Sequence, residues 1–249
     1  METRIAAIVT AAGSSNRMAG LKKEYLPLSP PAAGPEGCPK GCPKGRPLTV
    51  LGAAVSAFAA LPDIALIVIT FPPDSGEETL REALPRNLGR PGVEFPLFLT
   101  PGGLNRRESV YRALRFLEPH RPGYVLIHDG ARPWVSAALI RRVIEGTLAQ
   151  GAAVPVLPLT ETPKELDGRG FIKSHLRRAS IAVAQTPQGF AYPAMLRAHE
   201  EAARRAVLRG EYTDDAEVWA GYSGPGAGPL AAVPGEAANR KITFPEDLL

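Results

Sequence analysis

Short runs of nearly unbroken apolar residues punctuate the first two-thirds of the chain: Ile5–Thr10, Ile64–Thr70, Phe95–Thr100, Tyr124–His128 and Ala152–Leu157. Each is too short for a helix and too continuous for a strand with one wet face, so each predicts a strand buried on both sides. Between them apolar positions recur at helical spacing, as in Val50, Ala53, Ala54 and Ala57. Val110, Ala113, Leu114 and Leu117 repeat the pattern, and Leu139, Val143 and Ile144 begin a third set. Strands of this kind alternating with amphipathic helices predict an α/β chain, a mostly parallel sheet covered by helices on both faces. Ligands of such sheets bind at the carboxyl ends of the strands.

The pattern changes after Pro158. Residues 159–185 are polar, short in period and carry Gly168 and Gly170, which predicts a two-stranded arm turning at Asp167-Gly168 or Gly170. A helix over Pro193–Leu208 and a last strand near Leu230–Val233 follow. "TDDAE" reads as a helix start in which Thr213 caps and the acids suit the helix dipole. Earlier, prolines and glycines make up 11 of the 21 residues from Pro27 to Pro47, which disfavours helix and strand interiors. Residues 29–46 therefore read as a surface loop inserted within a single domain spanning 1–249, because periodic structure resumes at Leu48. Cys38 and Cys42 lie in that loop, in "GCPKGCPKG". Two thiols without a nearby histidine cannot close a zinc site, which leaves a short-range disulfide or an incidental pair, and the incidental pair is the favoured reading.

Charge and composition narrow the function classes. The net charge is only +4 and aromatics are 6% of the chain, with no basic stripe interleaved with rings, which argues against a nucleic-acid partner. No apolar run approaches the roughly 18 residues that span a bilayer, and the N-terminal apolar stretch ends in polar residues instead of a cleavage site. A cytoplasmic protein with a small anionic ligand is the expectation.

Three constellations carry candidate chemistry. In "AAGSSNRM", Ala11, Ala12 and Gly13 leave the first strand through small residues that can aim backbone N–H groups at an anion, and Arg17 and Lys23 follow as cations. The loop lacks both the Gly-Lys-Ser/Thr of a Walker A motif and the three spaced glycines of a dinucleotide fingerprint. In "GGLNRRESV", Gly102 and Gly103 permit close backbone approach, and Arg106 and Ser109 share one face at a helix start. In "YVLIHDGARP", Asp129 ends a buried strand where a hard dication bridging phosphates would find a carboxylate. Arg132 and a helix-starting Pro133 follow, and His128 reads as a buried strand histidine. An unpaired carboxylate on an apolar strand is costly without a cation. Thr162, Lys164, Arg177 and Arg178 on the arm, and Lys241 near the C-terminus, are individually ordinary surface groups that together would make a second phosphate cluster.

These elements, together with "KKEYLPL", "TETPKE", "AQTPQGF", "TDDAE" and "NRKITFPEDL", occur in the order seen in the 2-C-methyl-D-erythritol 4-phosphate cytidylyltransferase family, which the chain resembles from about residue 4 to 248. The resemblance implies a Rossmann-like nucleotidyltransferase domain with a protruding β-arm. It also implies transfer of CMP from CTP to the polyol phosphate, with release of pyrophosphate and use of Mg²⁺. On this resemblance Ala11, Ala12, Gly13, Gly103 and Ser109 would hold cytosine and ribose, and Arg17 and Lys23 would stabilise the pentavalent phosphorus. Asp129 would sit at metal and nucleotide, while Thr162, Arg178 and Lys241, with Arg132, would place the polyol phosphate. The family's arm reaches into a neighbouring subunit, which implies a homodimer with arm exchange.

The chain departs from the family's pattern at several positions. Ser15 stands where a second glycine is usual, Leu104 where an Asp is common, and Glu24 where a Gln is common. Arg177 and Ala182 stand where the arm commonly carries Asp and Trp. The arm departures bear on the polyol, so a ribitol 5-phosphate cytidylyltransferase is the nearest alternative. A non-catalytic nucleotide-binding module is the alternative of another class.

Overall fold

A computed structural model describes residues 4–13, 22–28, 48–74, 76–86, 88–89, 95–209 and 212–248. Arg17, Ser15, the inserted loop 29–46 and both cysteines lie outside the described residues. The described strands are β1 (Ile5–Thr10), β2 (Ile64–Phe71), β3 (Leu97–Pro101), β4 (Tyr124–Asp129), β5 (Ala152–Pro158), β6 (Lys164–Leu166), β7 (Ile172–His175), β8 (Ala182–Ala184), β9 (Gln188–Ala191) and β10 (Ala231–Pro234). Eight of them form one sheet, built on a path β10-β5-β9-β4-β1-β2-β3 with β8 attached to β5, while β6 and β7 form a separate hairpin.

β1 pairs in parallel with both β2 and β4, and β2 with β3. Its odd residues Ile5, Ala7 and Val9 pack on one core and Ala6 and Ile8 on the other, which explains an unbroken apolar run in place of an alternating one. Helices α1 (Val50–Ala59) and α4 (Ala137–Gln150) cover the first face. α3 (Arg106–Phe116), α5 (Tyr192–Arg209) and α6 (Asp215–Ala220) cover the second, and the short α2 (Glu77–Glu82) adds Leu80 to the first core. Among the described residues no helix is long and apolar enough to cross a membrane.

The sheet departs from the expected pattern in one decisive place. β9, "QGFA", lies antiparallel between β4 and β5, a strand that the apolar pattern does not reveal because Gln188 and Gly189 interrupt it. Gly189 is required there: a Cβ would stand 2.0 Å from the Thr147 hydroxyl and 2.9 Å from Leu126. Three smaller corrections follow from local chemistry. α4 starts at Ala137 and not at Pro133, because the Ser136 hydroxyl accepts the Leu139 N–H and so caps the helix. Asp214, not Thr213, caps α6 by accepting the Glu217 N–H, while the Thr213 N–H and hydroxyl both donate to the Glu217 carboxylate. The arm is also shorter than 159–185: Ala182 pairs with Pro158, so β8 has already rejoined the sheet.

Candidate functional site

The direction of strand order reverses between β1 and β4, since β2 and β3 lie to one side and β4 to the other. At such a reversal the connections leave a crevice above the carboxyl ends of the strands. Thr10 and Asp129 are register partners at that edge, so the turn after β1 and the acid ending β4 face the same opening.

The turn after β1 is held from below. The Ala11 N–H donates to the Thr70 carbonyl at 3.1 Å, and the Gly102 N–H donates to the Phe71 carbonyl at 2.7 Å. A Cβ on Gly102 would fall 2.3 Å from the Ala12 Cβ and 2.9 Å from the Ser109 hydroxyl. That near-contact brings Ala11–Gly13 against Gly102–Ser109 and leaves no room there for any residue but glycine. Asn105 caps α3 by accepting the Glu108 N–H. Ser109 then donates its hydroxyl to the Asn105 carbonyl at 2.9 Å and accepts the Gly103 N–H at 3.0 Å. Leu104 projects almost wholly into solvent, and its N–H donates to Glu108, whose carboxyl is held low first by that bond and then by Arg112. The Lys22 ammonium donates to the Gly13 carbonyl. Lys23 lies on the single 3-10 turn Lys23–Tyr25, in which Glu24 is buried and so is not an acid open to the crevice. The Asp247 carboxyl on the C-terminal segment is held below its ordinary value first by the Phe244 and Thr243 N–H groups it accepts, with smaller help from the Arg240 and Lys23 charges.

Asp129 is the centre of a charged cluster. Its Oδ1 lies 3.3 Å from Arg106 Nε, and its Oδ2 lies 2.9 Å from Lys241 Nζ and 3.7 Å from Arg132 Nε. The sequence suggested a carboxylate awaiting a cation; the fold supplies three from the protein itself. Burial pushes this carboxyl up, but Lys241, Arg106 and Arg132 outweigh burial and hold it well below the carboxylate range. Arg106 continues inward, with Nη1 2.6 Å from Asp215 Oδ2, and Asp215 Oδ1 lies 3.4 Å from His199 Nε2. Burial would lower the Arg106 guanidinium, yet Asp215 and Asp129 keep it above its ordinary value.

A neutral network fixes the backbone under this cluster. The Thr186 hydroxyl accepts the Asp129 N–H at 3.1 Å and lies 3.1 Å from His128 Nδ1. His128 Nε2 is 3.1 Å from the Arg132 carbonyl, which can only accept, so Nε2 carries the proton and Nδ1 accepts from Thr186. Burial holds His128 down to about 4, so the ring is neutral near pH 7, as expected of a buried strand histidine. Asn239, fully buried, donates to the Thr186 carbonyl at 2.8 Å while its own backbone carbonyl accepts from Arg132 at 2.8 Å. The segment carrying Lys241 is thereby tied to the segment entering β9.

Of the residues singled out from the sequence, the fold brings Asp129, Arg132 and Lys241 into one cluster and Ala11, Ala12, Gly13, Gly103 and Ser109 into the neighbouring turn. Thr162 and Arg178 stand apart on the arm, where Arg178 is exposed and donates to the Thr160 carbonyl at 2.6 Å. The hairpin turns through Asp167, whose carboxylate accepts the Arg169 and Phe171 N–H groups. Leu166, Phe171 and Ile172 are more than half exposed on it and form an apolar surface. The sequence singles out Arg106 on the helix face it shares with Ser109 but not its ties to Asp129 and Asp215, and it does not single out Thr186, Gln188, His199, Asp215 or Asn239. The second acid of "TDDAE" was the available signal, since two adjacent acids exceed what a helix cap needs.

Among the described residues no three His, Cys, Asp or Glu side chains are grouped to cage a metal ion. The Asp129 carboxylate at the crevice suits a magnesium ion carried largely by phosphates and not one housed by the protein.

The 2-C-methyl-D-erythritol 4-phosphate cytidylyltransferase family, IspD, matches residues 5–249. The bifunctional IspD/IspF enzyme of Nitrobacter hamburgensis is 37% identical over 249 residues, covering 99% of this chain and 54% of its own length. That of Bradyrhizobium sp. is 38% identical over 209 residues, 81% of this chain and 48% of its own. The chain thus spans about half the length of these curated relatives. Among solved structures, 2-C-methyl-D-erythritol 4-phosphate cytidylyltransferase from Thermus thermophilus is 32% identical, with a TM-score of 0.68 over 97% of this chain and 94% of that one. The 4-diphosphocytidyl-2C-methyl-D-erythritol synthase of Anaerococcus prevotii has a TM-score of 0.76 at 24% identity, covering 98% and 92%, and so speaks for the fold alone. Matched from residue 5 to its last residue, sharing the mixed, mostly parallel sheet and carrying a small-residue turn and a charged cluster at the strand-order reversal, the chain belongs to the IspD family of 2-C-methyl-D-erythritol 4-phosphate cytidylyltransferases.

Proposed function

We propose that this chain, acting as one domain, transfers CMP from CTP to 2-C-methyl-D-erythritol 4-phosphate, as the names of its relatives describe. The observation that carries this is the adjacency of two unlike surfaces in one crevice. One is the close-packed turn of Ala11–Gly13 against Gly102–Ser109, and the other is the cluster of Asp129, Lys241, Arg132 and Arg106. The first suits a base and ribose read at close backbone range; the second suits phosphates.

The chemistry asks for no protein nucleophile. A phosphate oxygen of the acceptor forms a bond to the α-phosphorus of CTP as the bond to the bridging oxygen breaks, and pyrophosphate leaves with that electron pair. Alignment and charge neutralisation do the catalysis. Lys23 and Arg17 serve the pentavalent phosphorus, and Lys241, with Arg132 behind it, places the acceptor phosphate. Bound magnesium, held by Asp129 and the triphosphate, would supply further neutralisation of phosphate charge. The exposed apolar arm supports a homodimer in which Thr162 and Arg178 complete the partner's site, and use of CTP fits a cytoplasmic location.

Pyrophosphate release with CTP and magnesium, run with methylerythritol phosphate and with ribitol 5-phosphate, tests the reading. Turnover with the first is expected; turnover with ribitol 5-phosphate alone would replace it, and none with either would leave a binding module. Mixing Lys23→Ala with Arg178→Ala subunits should recover part of the activity neither has alone. Exchanged but inactive mixtures would rule out the shared arm.

A further inference from the structure

The proposed transfer gives Asp129 and Lys241 a part but has no place for the buried acid behind them. Asp215 is the first residue of α6, 1% exposed, and holds Arg106 at 2.6 Å while Asp129 holds it only at 3.3 Å. We propose that Asp215 is a positioning residue for the Asp129–Lys241 pair: by gripping the Arg106 guanidinium from behind, it confines Arg106 to one oxygen of Asp129 and leaves the other to Lys241.

Three observations support this. First, a guanidinium is a fork able to take both oxygens of a carboxylate, which an ammonium cannot do. An unrestrained Arg106 would close on both oxygens of Asp129 and displace Lys241, which is 41% exposed and can rehydrate easily. Second, Asp215 cannot follow Arg106 outward. Gln188 of β9 donates to Asp214 at 2.8 Å and accepts the Ala216 N–H at 3.0 Å, pinning the residues on either side of Asp215. Third, the fully buried His199 ring stands 3.4 Å from the other Asp215 oxygen and blocks rotation of the carboxylate. The chain His199–Asp215–Arg106–Asp129–Lys241 thus runs from between α5 and α6 to the crevice, each member limiting the next.

The catalytic consequence rests on reading Lys241 as the group that places the acceptor phosphate; the geometric part does not. The test therefore reads Lys241 directly. The substrate-free protein is treated with an amine-acetylating reagent and labelling at Lys241 is followed by mass spectrometry, normalised to exposed Lys164. Asp215→Asn should raise Lys241 labelling roughly three- to fivefold, the factor that an ordinary half-exposed ion pair is worth. Asp215→Glu, which keeps the charge, should bring it back towards the unaltered rate. Adding Arg106→Gln to Asp215→Asn should return labelling to the unaltered rate, because no fork remains to take both oxygens of Asp129. That double variant removes both charges of the Arg106–Asp215 pair together and carries the test if the single one does not fold. Unchanged labelling in folded Asp215→Asn, or fast labelling in the double variant, overturns the proposal. In turnover, Asp215→Asn should lower kcat/KM for the acceptor with little change in the Kd of CTP. If labelling behaves as expected while the unaltered protein turns over no polyol phosphate, the positioning role stands and the functional reading falls.

Discussion

Replacing Asp129 by Asn removes one charge at nearly constant volume and asks what that charge does for the fold. The carboxylate is 7% exposed and faces Arg106, Lys241 and Arg132. Breaking a fully buried ion pair typically costs about 3–5 kcal/mol, because the remaining charge is stranded. Here the stranding is partial. Lys241 is 41% exposed, so its share is that of a surface pair, at most about 1 kcal/mol. Arg106 retains Asp215, and Arg132 retains the Asn239 carbonyl. A loss of about 2–3 kcal/mol follows, smaller than the stability of a typical domain, so the variant should fold. With a urea slope of about 2.5 kcal/mol per molar, the midpoint should fall by roughly 1 M at unchanged slope. Urea titration followed by circular dichroism measures this. A midpoint that stays or rises would show that the three cations repel less than the buried carboxylate costs, and that Asp129 is held in the fold against its own preference.

Two further outcomes follow from single contacts. Gly102→Ala places a Cβ 2.3 Å from that of Ala12, so it should displace the Ala11–Gly13 turn and weaken CTP binding at least tenfold in calorimetry, with a melting temperature lowered by only a few degrees; unchanged CTP affinity would separate that turn from the nucleotide. Tyr192 donates its hydroxyl to the Leu114 carbonyl at 2.9 Å, and burial, aided by Glu118, pushes it up to about 12 from an ordinary value near 10. The unfolded chain therefore loses this proton first, so the contribution is complete below about pH 10 and falls away between roughly pH 10 and 12. Tyr192→Phe should abolish that part of the alkaline loss when urea midpoints at about pH 9 and 11.5 are compared, and equal losses in both proteins would refute it.

The apolar runs and helical spacings determined the layered α/β core, because a strand buried on both faces must be apolar throughout and a covering helix must be apolar on one side. They also placed Ala11–Gly13, Gly102–Ser109 and Asp129 at the ends of strands, where ligands of such sheets sit. Short-range chemistry was legible to within a residue or two: the start of α3 at Arg106 was visible, while the cap of α6 passed from Thr213 to its neighbour Asp214.

Only the tertiary structure decided what surrounds Asp129. Its partners come from α3, from the turn after β4 and from the C-terminal segment, up to 112 residues away in sequence, and no local pattern encodes such a meeting. β9 was likewise invisible, because its place between β4 and β5 depends on a glycine that lets α4 approach and not on any periodicity of its own. Local sequence specifies which segments can be buried; the closing of the sheet specifies which charges are then forced to face one another, and at this crevice that second step made the site.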